Sequence, residues 1–581
     1  MEKSINKVTS PVRKSALAGV VLGTLMGQTA GARAEDTAAE IRFLKERLKQ
    51  LEAKVAKQAA EQKQTEARVR GSAKQPPMPR GEYRVVCKDT PCPPPPPPVF
   101  LSFTNGLKVE SWDHDFSFKV GGRVFVDGGV NSQPVEAFPP SFPPFPVALV
   151  PLFPAHPGSG FSNQVGIRQA RLQVEGTAFK WWDYKMSYDF TGSANGLIVG
   201  GIRDAYLLWR YFDPFTFQVG NFFEPFSLVR YSPILYQDFI ERPLAGDLLA
   251  PSRHIGLAVG VGGAAPGILG NSNWSLKGGI FSTSVEDGNP ASTGAPAAGS
   301  SSFLAPVPGG HQYWDASGRL TYAPILTQDM LLHIGGSLRY QKPNDATAAS
   351  DDRVLQPGSQ LRSEANILNE GLLGTQPLTC VSSALQLVGQ NCVTSVLNYS
   401  AEAVASYGPF SIQGEYIGMH YDRDAALLAF FNSGGQHAPG GTSINFSGYY
   451  AFVTWYLTGE SRADSYKEYR KDPERPGTFG QIKVLNPVSA GGWGAWELAA
   501  RISEINLNDG SVLFAQPLGA RPNIQGGRQT DFTLGLNWYP DIGIRFMANW
   551  VNVLQYSANF NRPDINGIHP QLFVMRAQVN W

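Results

Sequence analysis

The sequence contains no apolar stretch long enough to cross a membrane as a helix, which requires about 18 or more consecutive, mostly apolar residues. Charged residues are also scarce, at 17% of the 581 residues, and their near balance gives a formal net charge of +1. The first absence excludes a helical membrane protein. The second means that any preference for anions must come from the local placement of basic residues, and it gives no reason to expect a nucleic-acid partner.

Residue types that carry chemistry are few and scattered. The eight histidines show no metal-ligand spacing, and no nucleophile can be paired with a base from the sequence. The glycine pattern GVVLGTLMG lies near the N-terminus without a strand before it, so it does not predict a nucleotide site. We therefore predict a protein that is not an enzyme and has no cofactor and no metal site.

Residues 1–34 have the pattern of a secretory signal peptide. Basic residues extend to Lys14, an apolar segment follows, and small residues flank position 33 in Ala32-Arg33-Ala34. Cleavage is expected before Glu35. An uncleaved membrane anchor is the alternative, but the apolar segment is too short to span a bilayer.

The four cysteines form two close pairs, Cys87 with Cys92 and Cys380 with Cys392. In the oxidising space outside the cytoplasm, each pair predicts a small disulfide loop. Metal binding by the first pair is the alternative, but that pair has no histidine partner.

Residues 35–70 predict a short periplasmic coiled coil, because apolar residues alternate at spacings of three and four in Ile41, Leu44, Leu48, Leu51 and Val55. About two heptads are too few for a stable isolated coil, so an oligomeric parent is expected to hold it together. A single amphipathic helix lying on another surface is the alternative. Residues 71–117 are rich in proline and predict a semi-rigid linker.

From residue 118 onward the apolar residues recur with a period of two, as in a half-buried strand. The segment 118–581 contains about 16 such stretches, with a margin of two, and aromatic residues at many strand ends. The final strand, FVMRAQVNW, alternates and ends in an aromatic residue. We predict an all-β transmembrane antiparallel barrel preceded by the short coiled coil.

Connection lengths in this region alternate as in bacterial barrels, with short turns such as 213–214 and 408–409 on one side. The long connections are all expected on the other side, at 131–163, 283–312, 342–397, 422–444 and 460–492. One further long connection, about 223–254, lies between alternating strands at 215–222 and 255–263. In a barrel wide enough to hold water, such a loop satisfies its backbone polar groups by folding into the lumen, where it narrows the pore.

The predicted constriction loop carries three arginines and no lysine between its flanking strands, and other basic residues occur on the polar faces of the strands. We predict that these residues line an anion pathway: Arg230, Arg242, Arg253, Arg123, Arg171, Lys119, Lys185 and Lys277. Arg168 and Arg171 are three apart, so one of them must lie at a strand end or bulge, and Arg171 is favoured as the lumenal residue. Glu241 is expected to pair with its neighbour Arg242. For each arginine the alternative is that it pins the loop to acidic wall residues.

Five segments of the predicted barrel are distinctive: VGIRQARLQVEGTAFKWWDYKMSYDF (165–190), IRDAYLLWRY (202–211), the stretch 219–256 with VGNFFEPFSL, FIERPL and APSRHIG, GGWGAWELAARISEINLND (491–509) and GGRQTDFTLGLNWYPDIGIRFMANWVNV (526–553). Together they resemble the phosphate-selective porin O and P family of Gram-negative outer membranes. The resemblance implies a homotrimer of outer-membrane barrels, each passing small inorganic anions past a folded-in third loop and basic pore residues.

We therefore predict a water-filled pore for small anions, with phosphate or polyphosphate as the candidate solute. A weakly selective general porin that also tethers the envelope through the coiled coil is the alternative. An outer-membrane barrel enzyme is a further alternative, but it would need a nucleophile with a nearby base on the barrel wall, and none can be assembled from the sequence. The expected partners are inorganic anions, membrane lipids, lipopolysaccharide and two further copies of the chain, with peptidoglycan as a possible contact of the coil.

If the export signal is interpreted correctly, N-terminal sequencing of protein extracted from the outer membrane will begin at Glu35. The same preparation should migrate faster on gels before boiling than after it, because a closed barrel resists detergent until it is heated. Recovery of Met1 at the N-terminus would contradict the prediction.

Overall fold

The computed structural model describes residues 99–103, 106–132, 162–191, 193–194, 197–198, 201–269, 272–282, 314–343, 364, 373–375, 378, 392–433, 440–510, 523–557 and 566–581. The predicted signal peptide, the coiled coil and most of the linker lie outside these residues and stay predictions. No helix in the described ranges is long and apolar enough to cross a membrane.

The described chain is almost entirely antiparallel β-sheet. The strands are β1 Val99–Ser102, β2 Leu107–Ser111, β3 Ser117–Asn131, β4 Ser162–Ala178, β5 Trp182–Asp189, β6 Ser193–Ala194, β7 Leu197–Ile198, β8 Gly201–Trp209, β9 Phe215–Phe223, β10 Arg253–Ala264, β11 Asn273–Phe281, β12 Trp314–Leu326, β13 Met330–Lys342, β14 Val393–Tyr407, β15 Phe410–Arg423, β16 Ser443–Tyr456, β17 Ala495–Asp509, β18 Ile524–Asp541, β19 Ile544–Ser557 and β20 Gln571–Asn580. The helices are α1 Leu228–Tyr231, α2 Leu244–Leu248 and α3 Ala425–Ser433.

Sixteen of these strands, β3 to β5 and β8 to β20, form a closed barrel. Closure is made by β20, which pairs with β3 from Leu572↔Asn131 to Asn580↔Arg123. Trp581 extends this pairing, since its backbone N–H and C=O each bond Gly122 at 3.0 Å. A Cβ atom at Gly122 would lie 2.5 Å from the Trp581 ring, so a glycine lets the terminal tryptophan lie flat on β3. The predicted sixteen-stranded barrel is confirmed.

Two strands lie before the barrel, inside the segment predicted as linker. Strands β1 and β2 form a hairpin, and β2 pairs with the start of β3 from Leu107↔Val120 to Glu110↔Ser117. Strand β20 ends level with Arg123, so the first residues of β3 would otherwise present unpaired backbone groups. The sheet therefore begins before residue 118, and the hairpin protects the exposed edge of β3.

The barrel is apolar outside and polar inside, the reverse of a soluble protein. On β12, for example, Leu320 faces outward and is 54% exposed, whereas the adjacent Arg319 faces inward and is 3% exposed. Strand β20 alternates in the same way, with Phe573, Met575 and Val579 outside and Arg576 inside. A one-residue shift in register would move every buried charge into lipid, which costs about 2–4 kcal/mol for each Arg or Lys at mid-membrane.

Aromatic side chains form a belt at each end of the apolar outer surface. At the edge with the short turns, Trp182 stacks on Trp209 with centroids 5.2 Å apart, and Phe410 stacks on Trp455 at 5.5 Å. At the opposite edge, Trp314 and Tyr340 are neighbours, with ring centroids 5.9 Å apart. Such belts mark the two membrane–water interfaces.

The two edges of the barrel differ in their connections. Because neighbouring strands are antiparallel, connections alternate between a short edge, with turns such as 327–329 and 542–543, and a long edge, which carries the connection 224–252. The connection 457–494 joins β16 to β17 and therefore belongs to the short edge. The prediction that 460–492 lies among the long-edge loops is wrong. Length alone does not identify the edge, whereas counting strands does.

The outward position of Met575 predicts a depth-dependent response to charge. Met575→Arg should lower the free energy of unfolding by about 2–4 kcal/mol, whereas Val579→Arg, nearer the interface, should lower it by about 0–1 kcal/mol. Denaturant titrations of the barrel refolded in detergent micelles or vesicles would measure both. Equal costs at the two positions would contradict this placement of β20 in the membrane.

Candidate functional site

The lumen contains the connection 224–252 between β9 and β10, here called the constriction loop. Its central segment runs over the inner face of strands β17 to β20, and side chains of these strands donate hydrogen bonds to its backbone carbonyl groups. The bonds run from Gln578 to Leu235 O (3.1 Å), Arg545 to Gln237 O (2.7 Å), Asn537 to Asp238 O (2.8 Å), Arg576 to Ile240 O (2.7 Å) and Arg501 to Glu241 O (2.9 Å). The predicted insertion is therefore present, and wall side chains replace the strand partner that a loop lacks.

Apolar contacts explain why the loop lies on this side of the lumen. Phe226, Ile240, Leu244 and Leu249 pack into one buried cluster with inward-facing residues of β14 to β20. Helix α2 sits against Gly448, where a Cβ atom would lie 2.6 Å from that of Ala245. The loop therefore covers the apolar half of the wall, and the passage is displaced toward β3, β4, β5 and β8.

A second loop enters the lumen from the short edge. This short-edge loop, residues 457–494, reaches the constriction loop, where Tyr231 Oη donates to Glu474 O at 2.7 Å and Arg475 donates to Tyr231 O at 3.1 Å. Wall cations hold its carbonyls: Lys277 binds Glu474 O at 2.7 Å, and Arg319 binds Pro476 O and Gly477 O, each at 2.9 Å. The sequence analysis did not predict this insertion.

Glu474 contributes a fixed negative charge at the meeting point of the two loops. Burial raises the pKa of its carboxyl group, but Lys185, Arg475 and Lys467 outweigh that effect and bring the pKa to about 2. The group is therefore ionised throughout the physiological range. Its carboxylate lies 3.3 Å from Lys185 Nζ and 3.3 Å from Arg475 Nε, so the charge is compensated locally.

Basic residues from four barrel strands and both inserted loops meet on the open side of the lumen. Phe223, at the end of β9, is the centre: the guanidinium carbons of Arg253, Arg475 and Arg230 lie 4.0, 4.7 and 6.0 Å from its ring centroid. We call the whole set the arginine cluster: Arg123, Arg171, Arg203, Arg230, Arg242, Arg253 and Arg475 with Asp189, Asp204, Asp247 and Glu474. Seven guanidinium groups thus face four carboxylates.

Three of the predicted pore arginines in this cluster are held by ion pairs. Arg171 lies 2.9 Å from Asp189, Arg253 lies 2.8 Å from Asp204, and Arg230 lies 2.5 Å from Asp247. All three side chains are buried. Arg253 joins the loop end to Asp204 on β8, which is the kind of contact that the alternative of an arginine pinning the loop describes.

Arg123 and Arg242 differ from these three, because within the described chain neither forms an ion pair. Arg123 is half-buried, directly opposite Arg171 in the pairing of β3 with β4, and close enough to Arg171 and Arg253 to be repelled by both. Arg242 donates only to the backbone carbonyls of Val229, Arg230 and Ser232. Burial and the neighbouring Arg230 lower the pKa of Arg242 to about 9, so it remains a cation at neutral pH.

A bulge in β4 resolves the problem posed by Arg168 and Arg171. The register with β3 shifts between Phe125↔Gln169 and Val126↔Ile167, which leaves Arg168 as the extra residue. Arg171 is lumenal as predicted, but Arg168 also points inward and binds Glu241 at 2.8 Å. Glu241 also binds Arg576 at 3.0 Å, so its ion pairs are with these two arginines, and it acts on Arg242 only at longer range.

The three predicted pore lysines are also held by polar partners, two of them by ion pairs and Lys277 by hydrogen bonds. Lys119 lies 3.1 Å from Glu175 near the short edge, and Lys185 binds Glu474. Lys277 is buried beneath the short-edge loop, where it also binds Gln218 at 2.6 Å. These lysines therefore support the loop and the wall more than they line the passage.

Sequence reasoning missed Arg168, Arg203 and Arg475 as lumenal cations. Strict alternation along β8 would place Arg203 on the face opposite Asp204, but the register with β5 shifts between Met186↔Ala205 and Tyr188↔Ile202, and Arg203 reaches Asp189 in the lumen. Arg475 lies in a loop that was assigned to the wrong edge. A pattern search could have found Arg168 through the three-residue spacing that demands a bulge. The other two become visible only when the strands are closed and the loops are placed.

Cys392, at the start of β14, is buried and forms a disulfide. Cys87, Cys92 and Cys380 lie outside the described residues, so the predicted pairings stay predictions.

A closed barrel with an apolar belted exterior and a charged lumen narrowed by inserted loops defines an outer-membrane porin. The model of the phosphate-selective porin O and P family matches residues 158–581, and the chain belongs to that family. The chain is 22% identical to Porin O of Pseudomonas aeruginosa over 487 residues, which cover 81% of this chain and 90% of that protein. It is 25% identical over 490 residues to an uncharacterised protein of Caulobacter vibrioides, covering 84% and 78% of the two chains.

Solved structures with a similar fold include the outer membrane channel DcaP of Acinetobacter baumannii, at 10% identity and a TM-score of 0.40, covering 81% of this chain and 99% of that one. An anion-selective porin from Comamonas acidovorans is 10% identical, with a TM-score of 0.38, covering 80% and 100%.

The wall arginines that hold the constriction loop should contribute more to stability than an arginine that does not touch the loop. Arg576→Met removes the partner of Asp127, Glu241 and the Ile240 carbonyl, and should cost about 3–5 kcal/mol because buried charges are left uncompensated. Arg528→Met breaks a more exposed pair with Glu504 and should cost about 0–1 kcal/mol. Unfolding midpoints in denaturant would measure both. Similar losses of stability in the two variants would contradict the conclusion that Arg576 supports the constriction loop.

Proposed function

We propose that this porin conducts small inorganic anions past the arginine cluster and that Arg123 and Arg242 are the residues that meet the ion. The observation that carries the proposal is the excess of cations: seven guanidinium groups and four carboxylates lie around the open side of the lumen. The overall net charge of +1 could not produce such a preference.

Arg123 and Arg242 are suited to this role because no carboxylate among the described residues lies within ion-pair distance of either. Asp189 and Asp204 act on Arg123, and Asp247 and Glu241 act on Arg242, only at longer range. A unit cation attracts a monovalent anion 4 Å away by about 4 kcal/mol at an effective dielectric of 20, and by about 1 kcal/mol in bulk-like water. Confinement by the two loops therefore increases the effect of each arginine. Several moderate sites, rather than one deep site, allow the ion to leave as well as enter.

Phosphate is the solute that we propose within this class. The guanidinium group presents parallel N–H donors that match the spacing of phosphate oxygens, which chloride cannot exploit. Membership of the phosphate-selective porin O and P family supports this choice. The acidic partners Asp189, Asp204 and Asp247 reduce the net charge, so moderate selectivity is expected rather than tight binding.

We further propose the trimeric assembly that the family resemblance implies, with residues 35–70 as a periplasmic coil below it. Contacts of that coil with peptidoglycan and of the outer surface with lipopolysaccharide belong to the same proposal. The coil residues Ile41, Leu44, Leu48, Leu51 and Val55 lie outside the described residues.

The filter assignment predicts the behaviour of a double variant. Arg123→Ala with Arg242→Ala should shift the reversal potential in a potassium chloride gradient toward cation preference. It should also weaken the block of chloride current by added phosphate, because the two uncompensated cations are gone. Planar-bilayer recordings of purified protein provide both measurements.

The matched control is Arg470→Ala, since Arg470 is an exposed arginine at the short edge, paired with Asp213. This control should leave both quantities unchanged. If the double variant inserts, conducts and keeps the original reversal potential, Arg123 and Arg242 do not form the filter.

A further inference from the structure

Outside the arginine cluster, three potential metal ligands converge at the base of the constriction loop. Glu224 is the first residue of the loop, His254 is the second residue of β10, and Asp315 lies on β12. One ligand atom from each residue lies within 4.8 Å of the other two. All three side chains are buried, with exposures of 1%, 4% and 0%.

Arg339 on β13 holds the two carboxylates in place from behind. Its Nε lies 3.2 Å from Glu224 Oε2, and its Nη2 lies 2.7 Å from Asp315 Oδ2. Each carboxylate thereby uses one oxygen for Arg339 and keeps the other for a different partner. Glu224 Oε1 lies 2.5 Å from His254 Nδ1, whereas Asp315 Oδ1 is buried without a hydrogen-bond partner.

We propose that Glu224, His254 and Asp315 bind one divalent transition-metal ion of the zinc class, with Arg339 positioning the carboxylates. An imidazole nitrogen with carboxylate oxygens is a donor set that suits Zn²⁺ and its neighbours, whereas Ca²⁺ and Mg²⁺ prefer oxygen ligands alone. The two carboxylates and one guanidinium group leave a formal charge of −1, which favours a cation.

Binding requires only a small local adjustment. Ligand atoms about 2.1 Å from a tetrahedral ion lie about 3.4 Å from each other, so Glu224 and His254 must move apart slightly. The burial of the three residues predicts slow entry of the ion from the lumen. Once bound, the ion would join the loop base to β10 and β12 and add positive charge beside the passage.

Equilibrium dialysis of the full-length protein against zinc chloride, after treatment with a chelator, tests the proposal directly. Metal analysis should find about one additional zinc ion per chain, and His254→Gln or Asp315→Asn should weaken binding about tenfold or more. His420→Gln is the matched control, because His420 also contacts a carboxylate, that of Asp422, at 3.2 Å but lies outside the cluster. This control should retain the zinc.

Channel recordings give a second measurement on the same variants. Zinc should shift the reversal potential toward anions in the unmodified protein and in His420→Gln, and should leave it unchanged in His254→Gln and Asp315→Asn. Heat-dependent gel migration identifies any variant that has not folded, and the other substitution then decides. Absence of zinc from the unmodified protein, or equal zinc binding by a folded cluster variant and the control, would overturn the proposal.

Discussion

The lumen of this porin depends on one requirement: the backbone polar groups of an inserted loop must find partners although the loop has no neighbouring strand. The wall meets that requirement with side chains. Arg545, Arg576 and Arg501 donate to three carbonyls of the constriction loop, and Arg319 donates to two carbonyls of the short-edge loop. Buried backbone groups left without such partners would cost about 1–3 kcal/mol each. The arginines of the wall are therefore first of all loop anchors.

Because many lumenal arginines anchor loops and pair with carboxylates, the number of cations in the lumen does not equal the number that can attract a passing ion. Arg319 forms an ion pair with Glu402, and Arg576 forms ion pairs with Asp127 and Glu241, so the charges of both arginines are compensated within the protein. Arg123 and Arg242 retain theirs because no carboxylate among the described residues comes within ion-pair distance. Under the proposed function, anion selectivity depends on the arginines that have no carboxylate within ion-pair distance, and a count of all basic residues in the lumen would overstate it.

The position of the passage follows from the distribution of apolar residues inside the barrel. A symmetrical polar lumen would leave the constriction loop no preferred side. Here the inward faces of β14 to β20 carry an apolar cluster that receives Phe226, Ile240 and Leu244. The hydrophobic effect therefore selects the side, and the hydrogen bonds from wall arginines select the exact path. The same two effects place the cations of β3, β4 and β8 on the open side.

Much of the architecture could be predicted without coordinates. The period of two in the apolar residues determined the strands, their inward and outward faces and the count of sixteen, because this alternation is a local property of a strand in lipid. The spacing of Arg168 and Arg171 indicated a strand end or a bulge for the same reason. The long gap between alternating strands identified the constriction loop, and the five quoted segments identified the family.

Only the closed tertiary structure decided which charges meet. Arg576 on β20 pairs with Asp127 on β3 where the barrel closes, and Arg253 on β10 pairs with Asp204 on β8, beyond the intervening strand β9. His254, Glu224 and Asp315 come together from three separate elements. These pairs are far apart in the chain and follow no period, so no local pattern contains them. Counting strands gives the edge to which residues 457–494 belong, but only the tertiary structure shows that this loop enters the lumen, because its contacts with Lys277, Arg319 and Tyr231 join distant parts of the chain.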